Sequence, residues 1–298
     1  MSPRAIVTLL QETGAQWYED RGPRLGAALA FYTLFSLAPI LIIVIAIAAM
    51  AFGEDAAQAQ IIEHIETLVG PEVARTIQTT LENASRPRSG VIATLIGFAT
   101  LLFGATIVFS ELRDALNLIW RASPPEERSL LFGLIRHRFL SFVIVFGIGL
   151  LLLLSLVANA VLAAMTQIFG GFIAEQVYVV RAVNFLFSFV IVTLLFAMMY
   201  KVLPDTNIPW SAVLIGAVAT ALLFTIGRFL IGLYLMYSGI MSAYGAAGSL
   251  VALLMWVYYS AQIFYFGAEF TKVYAARQRR RAVPPADNVP MMHESQVE

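Results

Sequence analysis

The sequence predicts an all-α, polytopic membrane protein with six transmembrane helices, both termini cytoplasmic and an amphipathic helical hairpin in the first outside loop. Three observations carry that prediction. The forty residues from 229 to 268 contain no charged side chain, and neither does the run from 139 to 174. Mean hydropathy is +0.79, with 59% hydrophobic and 13% charged residues. A soluble fold has no reason to clear charge from such lengths, whereas an Asp, Lys or Arg at the centre of a membrane helix costs about 2.5–3.5 kcal/mol. Finally, the basic residues divide unevenly between the segments that separate the apolar runs.

Residues 1–24 are polar and charged and carry no short apolar core ending at a small-residue cleavage site, so they do not read as a secretory signal. The apolar run over 25–53 is too long for that role and is expected to stay as a span. Charge gaps then place spans near 28–52, 90–112, 139–164, 181–203, 210–234 and 245–270. All six belong to one membrane domain over 1–275, followed by a disordered tail over 276–298. With the N-terminus inside, fourteen of the nineteen Lys and Arg residues fall in inside segments. Four fall outside, and Arg228 lies within the fifth span; the positive-inside rule therefore puts both termini in the cytoplasm.

The loop over 54–89 is the one sizeable outside piece. Ile61, Ile62, Ile65, Leu68 and Val69 recur at helical spacing, with Glu63, His64 and Glu66 opposite. Gly70-Pro71 breaks that helix, Pro71 suits the first turn of the next, and Val73, Ile77 and Leu81 form a second stripe. The pair lies on the outer surface or caps the bundle. After the second span a helical extension carries Leu112, Leu116 and Ile119. Pro204 and Pro209 bracket a tight turn between the fourth and fifth spans.

The composition narrows function mainly by exclusion. There are no cysteines, and the net charge is zero. The three histidines, His64, His137 and His293, sit in loops or the tail. No His-x-x-x-His pair, P-loop or Gly-x-Ser-x-Gly elbow is present, which argues against an enzyme, a metal site or a cofactor. Intramembrane polar residues are then the functional candidates. Glu111 and Glu269 end their spans on the inner side, where Tyr32 and Ser36 lie one turn apart on the first span. Pro39 frees a carbonyl of that helix and should kink it. The competing reading is structural: Glu269 pairs with Lys272 at i,i+3, and Glu111 reaches interfacial water. Arg228 sits near the outer interface and either snorkels to the headgroups or holds a lipid phosphate. Gly216, Thr220, Gly248 and Ala252 mark close helix packing.

Several blocks together carry a family resemblance. The run Ala28-Leu29-Ala30-Phe31-Tyr32-Thr33-Leu34-Phe35-Ser36-Leu37-Ala38-Pro39 resembles the first-helix signature of the YihY/BrkB family of bacterial inner-membrane proteins. Phe109-Ser110-Glu111-Leu112-Arg113-Asp114-Ala115-Leu116-Asn117-Leu118-Ile119-Trp120 is similar to the ending of its second helix. Tyr244 to Ser249, Trp256 to Gln262 and Gly267 to Phe270 resemble its last block, and Pro204-Asp205 fits the turn before the fifth helix. The resemblance implies six helices and a multi-pass protein of the bacterial inner membrane. It implies transport, of lipid-like molecules among others. It also brings an older label as a tRNA-processing ribonuclease, to which this sequence lends no support: no metal-ligand cluster is present, and the basic residues fall where topology requires them.

The favoured function is a transporter or lipid-handling protein with an inward-facing polar pocket, for which Tyr32, Ser36, Pro39, Glu111, Asn117, Arg228 and Glu269 are the candidates. A non-transporting scaffold or regulatory membrane subunit is the alternative. Membrane lipids are the expected partners, with a second copy of the chain or another membrane protein as further candidates, and no nucleic acid.

Overall fold

The computed structural model describes residues 3–69, 71–85, 107–122, 177–239, 243–244 and 247–282. Among them the chain forms eight helices and no strand: α1 (Pro3–Glu19), α2 (Gly22–Phe52), α3 (Glu54–Val69), α4 (Pro71–Ser85), α5 (107–120), α6 (Val177–Val202), α7 (Trp210–Tyr237) and α8 (Gly248–Ala282). The expected span over 139–164, most of the one over 90–112 and residues 283–298 lie outside the described residues.

Three helices among the described residues are long and apolar enough to cross a membrane, over Phe185–Val202, Trp210–Tyr237 and Leu250–Arg280. About a third of each apolar window is buried. The remainder faces outwards, as Leu214, Val218, Leu222, Ile226 and Phe229 do on α7. In water such a face would drive aggregation; in a bilayer it is the face that meets lipid. α2, at 31 residues, coincides with the first expected span, and its backbone stays helical through Pro39, whose side chain lies outside the described ones.

The hairpin expected after the first span is present. α2 ends at Gly53, whose φ of 82° is a conformation that glycine adopts without a Cβ clash, and its N–H bonds the Ala49 carbonyl. From there α3 and α4 fold back over the bundle. Ala57, Ile61, Ala74, Ile77 and Leu81 form a core with Leu41 and Ile45 of α2 and with Ala252 and Leu253 of α8. The stripes read from the sequence therefore cap the bundle. The side they cover is called here the hairpin side, and the opposite one the terminal side.

One helix was not anticipated, and one expectation needs correction. The N-terminal segment is a 17-residue helix, α1, whose Leu9 and Thr13 are buried. Charged residues interleave with that apolar stripe, which hid it from a search for a signal-like core. The last helix also continues to Ala282, through residues assigned to a disordered tail. Contact with α1 explains this: Arg277 bonds Glu12 and, at 3.1 Å, the Ala5 carbonyl. A cationic helix end gains partners there that a free tail would lack.

The second and larger core lies on the terminal side. Leu112, Leu116 and Ile119 of α5 meet Phe196 and Tyr200 of α6, Val213 and Ala217 of α7, and Phe264, Tyr265 and Ala268 of α8. Small residues bring these helices close. A Cβ on Gly216 would lie 2.8 Å from Thr271 Cβ, the close packing that the sequence marked at Gly216 and Thr220.

Candidate functional site

Gln262, Tyr265, Glu269 and Lys272 follow one another along α8 at intervals of three, four and three residues, which puts them on one helix face. The row rises about 15 Å along the helix towards the terminal side. Glu269 and Tyr265 are fully buried. Lys272 Nζ donates to Glu269 Oε2 and to Asp20 Oδ2, each at 3.0 Å. One ammonium thus stands between two carboxylates, Asp20 arriving on the sharp turn that joins α1 to α2. That turn requires Arg21 at φ 57°, an uncommon left-handed conformation for a residue with a Cβ.

Glycines let the neighbouring helix approach this row. A Cβ on Gly26 of α2 would overlap the Gln262 amide, and one on Gly22 would lie 2.5 Å from Trp17 Cδ1. Trp17 and Trp120 pack on the same terminal-side core as Tyr265. The chemical consequence is a concentration of unmatched polar atoms. Gln16 Oε1, Trp17 Nε1, Trp120 Nε1, both amide atoms of Gln262, Tyr265 Oη and Glu269 Oε1 are all enclosed and have no hydrogen-bond partner among the described residues. Every atom of this kind among the described residues belongs to this seam of α1, α5 and α8. Each such atom costs about 1–3 kcal/mol, so their gathering in one place is a reason to look for a polar guest.

Burial acts to raise the Asp20 carboxyl. Interactions with Glu269 and Lys272 and the charges of Lys272 and Arg121 outweigh it, holding the group below its ordinary 3.8. A depressed carboxylate stabilises the fold fully above its unfolded value and loses that contribution as pH falls through the lower folded value. Acidification below about pH 4 is therefore expected to loosen α1 from α8. Amide exchange in α1 measured between pH 6 and pH 3 should rise in the native chain after correction for intrinsic rates. In Asp20→Asn the α1 protection should be weaker at pH 6 and change less on acidification; an identical acid response in that variant would reject the assignment.

The sequence candidates distribute as follows. Glu269 is in the seam, and Glu111, half-buried on α5, is within electrostatic reach of Tyr265. Tyr32 packs on the terminal-side core and meets Phe31 edge to face at 5.7 Å. Ser36 is buried, but its hydroxyl donates to the Tyr32 carbonyl at 2.6 Å and is used within its own helix. Asn117 joins a clamp: its amide donates to Asp205 Oδ2 at 2.7 Å, its carbonyl accepts from the Asp205 N–H at 2.8 Å, and Arg113 Nε donates to the same carboxylate at 2.9 Å. This clamp fixes α5 to the turn between α6 and α7 and lies apart from the row on α8. Arg228, half-buried, sits about 27 Å along α7 from Trp210, far towards the hairpin side.

Sequence reading passed over Asp20, Trp17, Trp120 and Tyr265. The 3-4-3 spacing on α8 could have found Tyr265, which lies between Gln262 and Glu269 of two quoted blocks. Nothing in the sequence marks Asp20 as the partner of a residue 252 positions away. Among the described residues no three His, Asp or Glu side chains gather as metal ligands.

The profile of a family described as "Virulence factor BrkB" matches residues 14–290. The UPF0761 membrane protein of Alcanivorax borkumensis is 24% identical over 280 residues, which is 93% of this chain and 62% of the relative. That of Rhodospirillum centenum is 28% identical over 89% of this chain and 57% of its own length. A Stenotrophomonas maltophilia counterpart is 26% identical over 88% and 59%. The chain spans about three fifths of the length of these curated relatives. No solved structure matches it. The profile runs from within α1 through α8, so the clamp and the seam both lie inside the matched region, and the chain belongs to the YihY/BrkB family of membrane proteins.

Proposed function

We propose that the protein is a transporter of lipid-like amphiphiles in the bacterial inner membrane, oriented with both termini cytoplasmic. The polar end of the guest enters the seam on α8, and the apolar part runs along the interface of α2 and α8. The observation that carries this reading is the change of character along that one interface. Near the terminal side it pairs Gly26 with the Gln262 amide. Farther along, a narrow and mainly apolar crevice between the same helices is lined by Ala30, Leu34, Leu37, Leu253, Leu254 and Val257, with Thr33 its one polar side chain. Polar at one end and apolar at the other, the interface matches an amphiphile in sense and in order. The indole N–H groups of Trp17 and Trp120, the Tyr265 hydroxyl and the Gln262 amide offer donors to a headgroup. The crevice is too narrow for an acyl chain, so loading requires α2 and α8 to part.

The test is reconstitution into vesicles carrying a headgroup-labelled phospholipid, with a membrane-impermeant quencher reporting its movement between leaflets. Wild-type vesicles should exchange label faster than protein-free ones. Gln262→Leu and Tyr265→Phe should slow exchange by about tenfold, the equivalent of one hydrogen bond to the guest. The same changes should leave the unfolding midpoint equal or higher, because each removes an enclosed unmatched polar atom. Exchange no faster than in protein-free vesicles would end the proposal.

A further inference from the structure

α1 has two faces, and only one of them is explained by the bundle. Leu9 and Thr13 are buried beneath it, and the Arg277–Glu12 pair ties it to α8. A flank about a third of a turn away carries Val7, Leu10, Gly14 and Tyr18 at intervals of three, four and four, with Ile6 beside them. Ile6, Val7, Leu10 and Tyr18 are 46%, 54%, 45% and 76% exposed. A Cβ on Gly14 would meet nothing within 4 Å, so the stripe is flat and open there. α1 is joined to the apolar helix α2 by Asp20 and Arg21 alone, so this face cannot lie far from the edge of the bilayer.

Charge defines what covers it. Arg21 and Arg24 line an open cleft with Tyr18, Glu19 and Pro23 where α1 turns into α2. Arg4 is exposed at the other end of the helix, and none of these three arginines has an ion pair among the described residues. Glu19 is the sole carboxylate lining that cleft, while Glu12 and Asp20 are engaged by Arg277 and Lys272. An apolar stripe rimmed by unpaired guanidinium groups is the pattern of a helix lying in a membrane interface.

We propose that α1 lies in the leaflet on the terminal side with Val7 and Leu10 among the acyl chains, and that Arg21 and Arg24 hold the phosphate of an anionic phospholipid in the cleft beside Tyr18. This is a docking site at the edge of the bundle. It does not depend on what the seam on α8 carries.

The native chain has no cysteine, so single labels can be placed without background. Val7→Cys and Leu10→Cys, spin-labelled in the full-length chain, should be open to oxygen and shielded from a water-soluble nickel chelate in phosphatidylglycerol-containing nanodiscs. Glu19→Cys should show the reverse. By native mass spectrometry, Arg21→Gln and Arg24→Gln should each lower phosphatidylglycerol retention about fivefold, the weight of one arginine at an anionic surface, with phosphatidylcholine retention unchanged. Gly14→Leu, which extends the stripe, should raise retention. All six positions avoid the buried residues Leu9 and Thr13, so folding is not at stake. Labels at Val7 and Leu10 as open to the chelate as the one at Glu19 would overturn the proposal. So would retention that ignores both arginines, or glycerol phosphate displacing the lipid at equal concentration, which would mark a site for free anions.

Discussion

Lys272→Met is expected to destabilise the protein by about 3 kcal/mol, the lower end of the 3–5 kcal/mol that follows removal of one partner from a buried ion pair. The ammonium is the shared donor of Asp20 and Glu269, at 3.0 Å from each. The Glu269 side chain is 1% exposed, whereas Asp20 at 14% sits nearer the surface. Without Lys272, one carboxylate is left enclosed and must take up a proton or leave its place. A second change, Glu269→Leu, made in the Lys272→Met background should restore most of the loss, because an apolar pair removes the stranded charge. Denaturant titration in detergent of the wild type, both single variants and the double variant measures this as a thermodynamic cycle. Additive losses would show that the two groups do not interact.

Gly267→Ala is expected to cost about as much for a steric reason. Its new methyl group would overlap the Thr220 hydroxyl and lie 2.5 Å from Tyr200 Oη and 2.9 Å from Thr220 Cβ. Those two hydroxyls are 3.0 Å apart, and Tyr200 Oη also donates to the Phe264 carbonyl at 2.7 Å. Overpacking of a tight interface costs about 1–3 kcal/mol, and a broken buried hydrogen bond adds about 1 kcal/mol. Gly232→Ala on α7 provides the contrast. A Cβ there meets nothing within 4 Å, so the exchange should stabilise the helix by up to about 1 kcal/mol. Opposite signs for these two glycines in thermal unfolding would establish that α6, α7 and α8 meet at Gly267; two losses of similar size would refute it.

The sequence made the helices legible because apolarity and charge act over whole turns. The spans over 181–203 and 210–234 coincide with α6 and α7, and Ile61, Ile62, Ile65, Ile77 and Leu81 of the stripes on α3 and α4 pack in the core beneath the hairpin. Breaks were legible too, since Pro71, Pro204 and Pro209 act locally. The seam was less so. Its parts come from α1, α5 and α8, and a single chain read in order does not show which distant helix a polar side chain will meet. Ser36 and Asn117 illustrate the difficulty. Both are polar candidates, yet one bonds its own helix and the other holds a turn. Glu269 and Lys272 were readable as a pair because both lie on one helix, while Asp20, which changes the charge of that pair, was not. The helical continuation to Ala282 escaped for a similar reason, because it is held by residues at the opposite end of the chain.

α8 carries a consequence of a mechanical kind. Its 35 residues contain no proline and form a rod about 52 Å long. One end is gripped by the hairpin through Ala252 and Leu253, and the other by α1 through Arg277. A lever held at both ends cannot tilt at one without moving the other. A push on the hairpin is thus delivered along α8 to α1, with the seam riding on the arm between them.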